Sequence, residues 1–403
     1  MSRTLDVKSP WLVRTLDQAR LPFERCDIAL NSSSACFDAI RNMQVRGAPL
    51  IGAVAAFGLA FVLHEGGLPA HAHAPEARIP QSDRSAPEAL PDDADRLLMQ
   101  GRQWLATARP TAVNLAWALD RVVAAVRPLA PADRAQAAWA AALALCDEDV
   151  QCNQRIGEHG AFLLAQAGAS RLAAGLALQV LTHCNAGRLA TVGHGTALAP
   201  IYHLHARGVP VHVWVDETRP RNQGAALTAW ELGEAGVAHT VIADNAGGLL
   251  MMRGRVDAVI VGCDRVAANG DVANKVGTYL KALAAADNRV PFYVACPVST
   301  IDPLCADGGV IEVEERSPRE LTHLRGRLPD GSVAEVQLVP DGTQAANPAF
   351  DITPAHLVRA LITERGPCEA SLGGISALCP ELFEGANRPG TGRDVKGRVT
   401  HGR

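Results

Sequence analysis

The chain has 403 residues, 48% of them hydrophobic and 20% charged, with a formal net charge of -4. These proportions match ordinary globular usage and exclude a disordered or fibrous chain, while the length suits two domains that each bury a core. The mildly acidic balance supplies no global basic field for nucleic acid, so any anionic ligand has to meet local cations.

Residues 1–25 scatter charges where a secretory signal would need an uninterrupted apolar stretch. No apolar run approaches the length of a membrane span, so a cytoplasmic location with no membrane partner is expected. Over residues 10–61 short extended pieces give way to an Ala-rich pattern. Residues 96–126 and 131–174 place apolar residues three and four apart and read as helices. Between the first of these parts and the helices, residues 66–95 include "PEARIPQSDRSAPEALPDDAD", which cannot present a continuous apolar face and reads as an exposed insertion.

From about Leu176 the texture changes to short apolar runs separated by helix-sized gaps: "LALQVLTHCN", "VPVHVWVDET", "AHTVIADN", "DAVIVGCDR" and "PFYVACPVST". Continuous Val/Ile-rich runs so spaced predict a parallel sheet covered on both faces, hence an α/β fold. Each run ends in polar residues: His183, Cys184 and Asn185; Asp216 and Glu217; Asp244 and Asn245; Asp264 and Arg265; Ser299. Ligands of open α/β sheets bind beyond the carboxyl ends of the strands, so these endings are expected to converge on one crevice. The last segment, rich in Gly, Pro and Arg, reads as a loose tail, and no internal repeat is visible. The expected division is residues 1–148, a helical domain; 149–366, a catalytic sheet domain; and 367–403, the tail.

The ten cysteines are dispersed without a C-x-x-C pair, which points to reduced thiols and no zinc site. Three tyrosines and eight phenylalanines are too few to favour a base-stacking single-strand binder. "GHGTAL" fails the dinucleotide pattern, having Leu198 at the third glycine position. No Walker A, G-x-S-x-G or H-E-x-x-H pattern occurs. A nicotinamide cofactor is therefore not expected, nor is a metal site.

Cys184 follows a strand and precedes "NAGRLATVGHGTAL", with a helix expected near Thr196. Free N–H groups there would favour anions and lower the thiol toward thiolate, making Cys184 an acid or base; the alternative is a small buried residue. Asp264 follows Val259 to Cys263, so desolvation would raise its carboxyl into a range useful for proton transfer; the alternative is a salt bridge to Arg265 or Arg219. Asp216 and Asp244 end neighbouring strands, and local sequence does not rank the three carboxylates. Asn274 and Lys275 in "NGDVANKVGTYL" suit a phosphate at a helix start, or else a capping Asn beside a solvated Lys. Arg46, Gly47 and Ala48 before a Gly/Ala-rich helix form a second possible anion nest, although Gly52 and Gly58 also permit close helix packing. Arg109, before a proline-led helix, and Gln223 complete the set.

Together, "RGAPLIG", "RPTAVNLAWALDR", "THCNAG" with "GTALAPI", "VWVDETRPRNQGAALTAWEL" and "GCDRVAANGDVANKVGTYLKA" closely resemble the methylthioribose-1-phosphate isomerase family of methionine salvage. That family is related to ribose-1,5-bisphosphate isomerase and to regulatory subunits of a translation-initiation exchange factor. The resemblance runs from about Arg14 to Gly366, with the motifs in family order, and "NPAFDITPAHLVRALITERG" fits it too. It implies an N-terminal domain of helices with a small sheet, a C-terminal Rossmann-like domain, a homodimer, and no cofactor. It implies Cys184 and Asp264 as catalytic residues, and Arg46, Gly47, Ala48, Arg109, Gln223, Asn274 and Lys275 as contacts to a sugar phosphate. Cys263 stands where the family usually has alanine, and His194 where an aromatic residue is common. Isomerisation of a related sugar phosphate and a non-catalytic regulatory module are the competing expectations.

Overall fold

The computed structural model describes residues 3–70, 72 and 93–384. Most of the expected insertion, residues 73–92, and the end of the expected tail, 385–403, lie outside the described residues.

The chain opens with β1 (Leu5–Ser9), β2 (Leu12–Leu16) and β3 (Asp27–Leu30), an antiparallel sheet in chain order. Five helices follow: α1 (Ser33–Arg41), α2 (Ala48–Glu65), α3 (Asp93–Ala106), α4 (Val113–Val126) and α5 (Pro131–Ala167). Ser32 starts α1 by accepting the Ala35 N–H on its side chain, and Gly66 ends α2 in the left-handed conformation. α2 corrects the expectation about apolar runs, because its 18 residues are long and apolar enough to cross a membrane. Its apolar surface is covered inside the protein: the window is 78% buried, and Phe57 and Phe61 meet Trp139 of α5 at ring distances of 4.8 and 5.7 Å.

α5 is one continuous helix of 37 residues, so the division expected at 148/149 falls inside a helix and not in a linker. The packing does change there. Ala138, Trp139, Ala142, Leu145 and Cys146 belong to the N-terminal core, whereas Cys152, Ile156, Ala161 and Leu164 pack with the following sheet.

After α6 (Ala169–Ala173) come β4 (Leu178–Thr182), α7 (Ala199–Ala206), β5 (Val211–Asp216), α8 (Ala229–Glu234), β6 (Ala238–Ile242), α9 (Gly247–Met252) and β7 (Ala258–Val261). A second, four-stranded sheet takes β8 (Arg265–Ala267), β9 (Val272–Lys275), β11 (Ile301–Asp302) and β14 (Phe350–Thr353). Between these lie α10 (Thr278–Asp287), β10 (Phe292–Ala295), α11 (Arg319–Thr322) and a hairpin of β12 (His323–Arg327) and β13 (Val333–Gln337). The chain continues through β15 (Ala360–Thr363) and β16 (Gly366–Cys368) to α12 (Leu372–Leu378).

The main sheet has the order β16-β15-β10-β7-β4-β5-β6, parallel except for β16. Numbered from β4, its parallel strands run third, second, first, fourth, fifth, sixth, the doubly wound Rossmann order. All five apolar runs read from the sequence form strands of this sheet. β7 and β10 are buried throughout, as strands covered on both faces must be, and the edge strand β6 is largely exposed.

The loose-tail expectation fails for its first part. β16 pairs antiparallel with β15, and Ser371 caps α12 by accepting the Gly374 N–H, with Ile375 and Cys379 fully buried. Elements this short have no room to display a period.

Candidate active site

In the doubly wound order the direction of winding reverses between β4 and β7, which are hydrogen-bonded neighbours. Cys184 lies two residues beyond β4, and Asp264 three residues beyond β7. Cys184 holds a left-handed φ of 66°. Its N–H donates to Thr218 Oγ1 at 2.8 Å and its carbonyl accepts from Thr228 Oγ1 at 2.7 Å. The Thr218 N–H is in turn held by Asp244 Oδ1 at 2.7 Å. Loops after β5 and β6 thus fix a conformation that a non-glycine residue adopts only under constraint. The helix expected near Thr196 begins at Ala199, so Cys184 does not sit directly at its N-terminus.

The three strand-end carboxylates separate by what they hold. Asp216 Oδ2 lies 2.8 Å from His183 Nδ1 and 3.2 Å from Lys281 Nζ. Asp244 accepts the N–H groups of Thr218 and Arg219, each at 2.7 Å. Asp264 makes neither expected salt bridge: Arg265 pairs with Asp302 at 3.5 Å, and Arg219 donates to the carbonyls of Pro220 and Leu321. His183, Asp216 and Asp244 bring ligand atoms within 4.8 Å of one another, a set able to hold a metal ion. Lys281 already supplies a cation to this cluster, and His183 Nε2 is 2.9 Å from the Val276 carbonyl.

The N-terminal domain closes over this strand end. Gly47 (φ 94°) leads into α2 so close to Ala190 that a Cβ on it would lie 2.4 Å from the Ala190 Cα. Arg46 is buried and donates to both oxygens of Asn185. Asn274 and Lys275 depart from expectation. They lie at the end of strand β9 and not at a helix start, and both are buried, which overturns the solvated-lysine alternative. Lys275 Nζ sits 5.6 Å from the centre of the Phe350 ring, and Asn274 donates to Thr278 Oγ1 at 3.1 Å.

All nine residues singled out from the sequence line one cavity of about 80 Å³: Cys184, Asp264, Arg46, Gly47, Ala48, Arg109, Gln223, Asn274 and Lys275. Through Met43, Arg46, Arg221 and Gln223 it borders a larger cavity of about 640 Å³. Cys263 also lines the small cavity, but His194 does not. Arg46 Nε, Arg109 Nε and Gln223 Oε1 are buried there without a protein partner, the signature of polar groups kept for a ligand. Sequence reasoning missed Met43, Arg221, Arg316 and Phe350 on the wall. Arg221 stands inside the quoted "RPRNQG" and Phe350 inside the quoted "NPAFDITP", where it opens β14, whereas Arg316 comes from a distant loop without a local signal.

Burial pushes the Asp264 carboxyl up, against the opposing pull of Lys275, Arg109 and Arg46. The same cause pushes the Cys184 thiol up, with Arg46, Lys275 and the Asn185 N–H working the other way. This reverses the expected drift of Cys184 toward thiolate, because desolvation outweighs the nearby donors. Burial likewise lowers Lys275, opposed by Cys184 and Asp264. The site places a carboxyl and a thiol, both pushed up by burial, beside shared cations.

The chain matches the Initiation factor 2 subunit family over residues 44–370. It is 52% identical over 370 residues to the methylthioribose-1-phosphate isomerase of Gluconobacter oxydans, covering 92% of this chain and 93% of that protein. With that of Methylorubrum populi it shares 54% over 375 residues, covering 93% and 95%. The crystal structure of 5-methylthioribose 1-phosphate isomerase from Pyrococcus horikoshii superposes with a TM-score of 0.74 at 35% identity, covering 95% and 96% of the two chains. The subunit delta of translation initiation factor eIF-2B from A. fulgidus gives 0.71 at 34%, covering 94% and 99%. With the identity sustained over nine-tenths of the chain, this protein belongs to the methylthioribose-1-phosphate isomerase family, within the initiation factor 2 subunit family.

Proposed function

We propose that the protein is an aldose–ketose isomerase that converts 5-methylthioribose 1-phosphate into 5-methylthioribulose 1-phosphate in methionine salvage. The observation that carries this reading is the pairing of Cys184 and Asp264 in one enclosed pocket, beyond neighbouring strands, among cations and unpartnered polar atoms. A phosphate on the anomeric oxygen locks the sugar as a ring, so no free aldehyde activates the proton on the second carbon. Ring opening therefore needs an acid at the ring oxygen. Asp264, with its carboxyl pushed up by burial, is suited to donate there. Cys184 carries the proton from the second carbon to the first, its thiolate supported by Arg46 and Lys275.

The atoms balance without a co-reactant. The bond from the first carbon to the ring oxygen breaks as that oxygen takes the Asp264 proton and leaves as a hydroxyl. The second carbon gives its C–H proton to the first carbon by way of Cys184 and its hydroxyl proton back to Asp264, becoming the ketone carbon. Arg46, Arg109, Lys275, and the N–H groups of Gly47 and Ala48 hold the phosphate end, while Gln223 and Asn274 orient hydroxyls. Apolar walls such as Phe350 exclude water that would quench the intermediate.

The protein acts in the cytoplasm as a homodimer in this reading. Exposed Leu249 and Met252 on α9, with Leu280 and Leu283 on the adjoining α10, support a surface covered by a second copy.

Turnover of purified protein on 5-methylthioribose 1-phosphate, 5-deoxyribose 1-phosphate and ribose 1,5-bisphosphate tests the assignment. Preference for either of the last two would transfer the same chemistry to another substrate. The likeness to the A. fulgidus factor favours a regulatory module as the second reading, and absence of turnover on all three sugars would support it.

A further inference from the structure

The cations expected to hold the phosphate are partly committed elsewhere. Arg46 Nη2 gives both its hydrogens to Asn185 and Nη1 gives one, leaving Nε and a single Nη1 hydrogen, and Lys275 lies over the Phe350 ring. Two further guanidinium groups, those of Arg221 and Arg316, line the same cavity. Arg221 stands where the small cavity meets the large one, so an incoming anion passes it.

Glu320 joins these two arginines. Its Oε1 accepts from Arg221 Nη1 at 2.6 Å and from Arg316 Nη2 at 2.6 Å, and its Oε2 accepts from Arg316 Nε at 2.9 Å. Asn347, itself buried, steadies Glu320 Oε2 from 3.2 Å. The chain of alternating charge continues across the pocket. Arg316 Nη1 donates to Glu314 Oε1 at 2.8 Å, and Glu314 Oε2 lies 3.5 Å from Arg109 Nη2 on the N-terminal domain. Three arginines against two glutamates leave one positive charge in excess, on a wall only 14–28% exposed. The Glu320 carboxyl is penalised by burial, yet Arg316 and Arg221 hold it down to about 2, so it stays ionised at every working pH.

We propose that Glu320 is a positioning residue for the reaction, holding Arg221 and Arg316 side by side as a second anion-binding pair for the substrate phosphate. Flexible arginines bind a phosphate weakly when they must first be ordered, and a buried carboxylate that fixes both removes that cost. The inference rests on the sugar-phosphate reading above and adds to it the groups that receive the phosphate.

Inorganic phosphate is the probe. Its affinity for the wild-type protein, Glu320→Gln and Arg221→Gln is measured by calorimetry, alongside KM and kcat for 5-methylthioribose 1-phosphate. Glu320→Gln is expected to weaken phosphate about fivefold or more and to raise KM by a similar factor, with the smaller part of the loss in kcat. Arg221→Gln, which alters a rim residue, should do the same, and Glu320→Asp should recover part of the affinity. Unchanged phosphate affinity and KM in both Gln variants would overturn the proposal. A fall in kcat alone would also overturn it, since that marks a scaffolding role. Glu320-dependent phosphate binding in a wild-type protein that turns over no sugar phosphate would support the anion pair while removing the assigned substrate.

Discussion

Arg46 donates to the Asn185 carbonyl at 3.0 and 2.6 Å and to the Asn185 side-chain oxygen at 2.5 Å, clamping the start of α2 to the residue after Cys184. Asn185 in turn donates to Glu231 Oε1 at 2.6 Å and Thr228 Oγ1 at 3.1 Å. Among the contacts that join the N-terminal part to the main sheet, this one is a buried, fork-shaped clamp beside the Cys184 thiol. A lysine keeps the charge but cannot reproduce the fork. Arg46→Lys is expected to lower kcat/KM at least about tenfold in steady-state kinetics. Asn185→Ala removes one acceptor from Arg46 and one amide donor from Glu231 while leaving the backbone carbonyl on Arg46, and should cost about 1–3 kcal/mol in denaturant unfolding.

Cys184→Ala and Asp264→Asn should each reduce turnover by about a hundredfold or more, since one general acid or base is worth about 10²- to 10⁴-fold. Near-full turnover in either variant would remove that residue from the mechanism. Transfer through the thiol predicts that reaction in heavy water places deuterium on the first carbon of the product, detectable by NMR. Product free of deuterium would favour a direct hydride shift between the carbons.

Gly47→Ala should be damaging out of proportion to one methyl group. Its φ of 94° disfavours any side chain, and the added Cβ would lie 2.4 Å from the Ala190 Cα. The expected cost is about 2 kcal/mol or more, read from a denaturant midpoint, together with loss of activity from the displaced Arg46 and Ala48.

Asp149, on α5, accepts the Val192 N–H at 2.7 Å in the loop that continues to Thr196 on the pocket wall. Burial pushes its carboxyl up to about 7, with the N–H groups of Val192 and Gly193 and the Asn153 side chain opposing. An unfolded aspartate titrates near roughly 3.9, so the folded chain holds this proton more tightly. The resulting stabilisation is complete below about pH 4 and is lost as the pH rises through about 7. Urea midpoints measured across that window should fall with pH in the wild type and fall less in Asp149→Asn. An identical slope in both would show that other groups dominate.

Much of this architecture was legible in the amino-acid sequence, for a definite reason. Strands buried on both faces must be apolar along their whole length, so β4, β5, β7 and β10 read as short apolar runs, and the residues ending them follow by position. Cys184 and Asp264 emerged in this way, and all nine candidate residues line one cavity. β9, β16 and α12, of four, three and seven residues, mix apolar residues with Asn, Lys, Pro or Gly and show no such run. By sequence alone β9 reads as a helix start, and β16 and α12 read as loose chain.

What only the folded chain decided is the division of labour among like groups. Nothing local distinguishes Asp216, Asp244 and Asp264, each at the end of an apolar run. The difference lies in partners brought from elsewhere: His183 and Lys281 for Asp216, and the Thr218 and Arg219 N–H groups for Asp244. The ionisation of Cys184 was likewise decided by enclosure, because desolvation depends on how completely α2, β9 and the segment around Arg316 cover the strand ends. Sequence determines which groups are available, since backbone periodicity is local; their charge and geometry are settled by contacts between residues far apart in the chain.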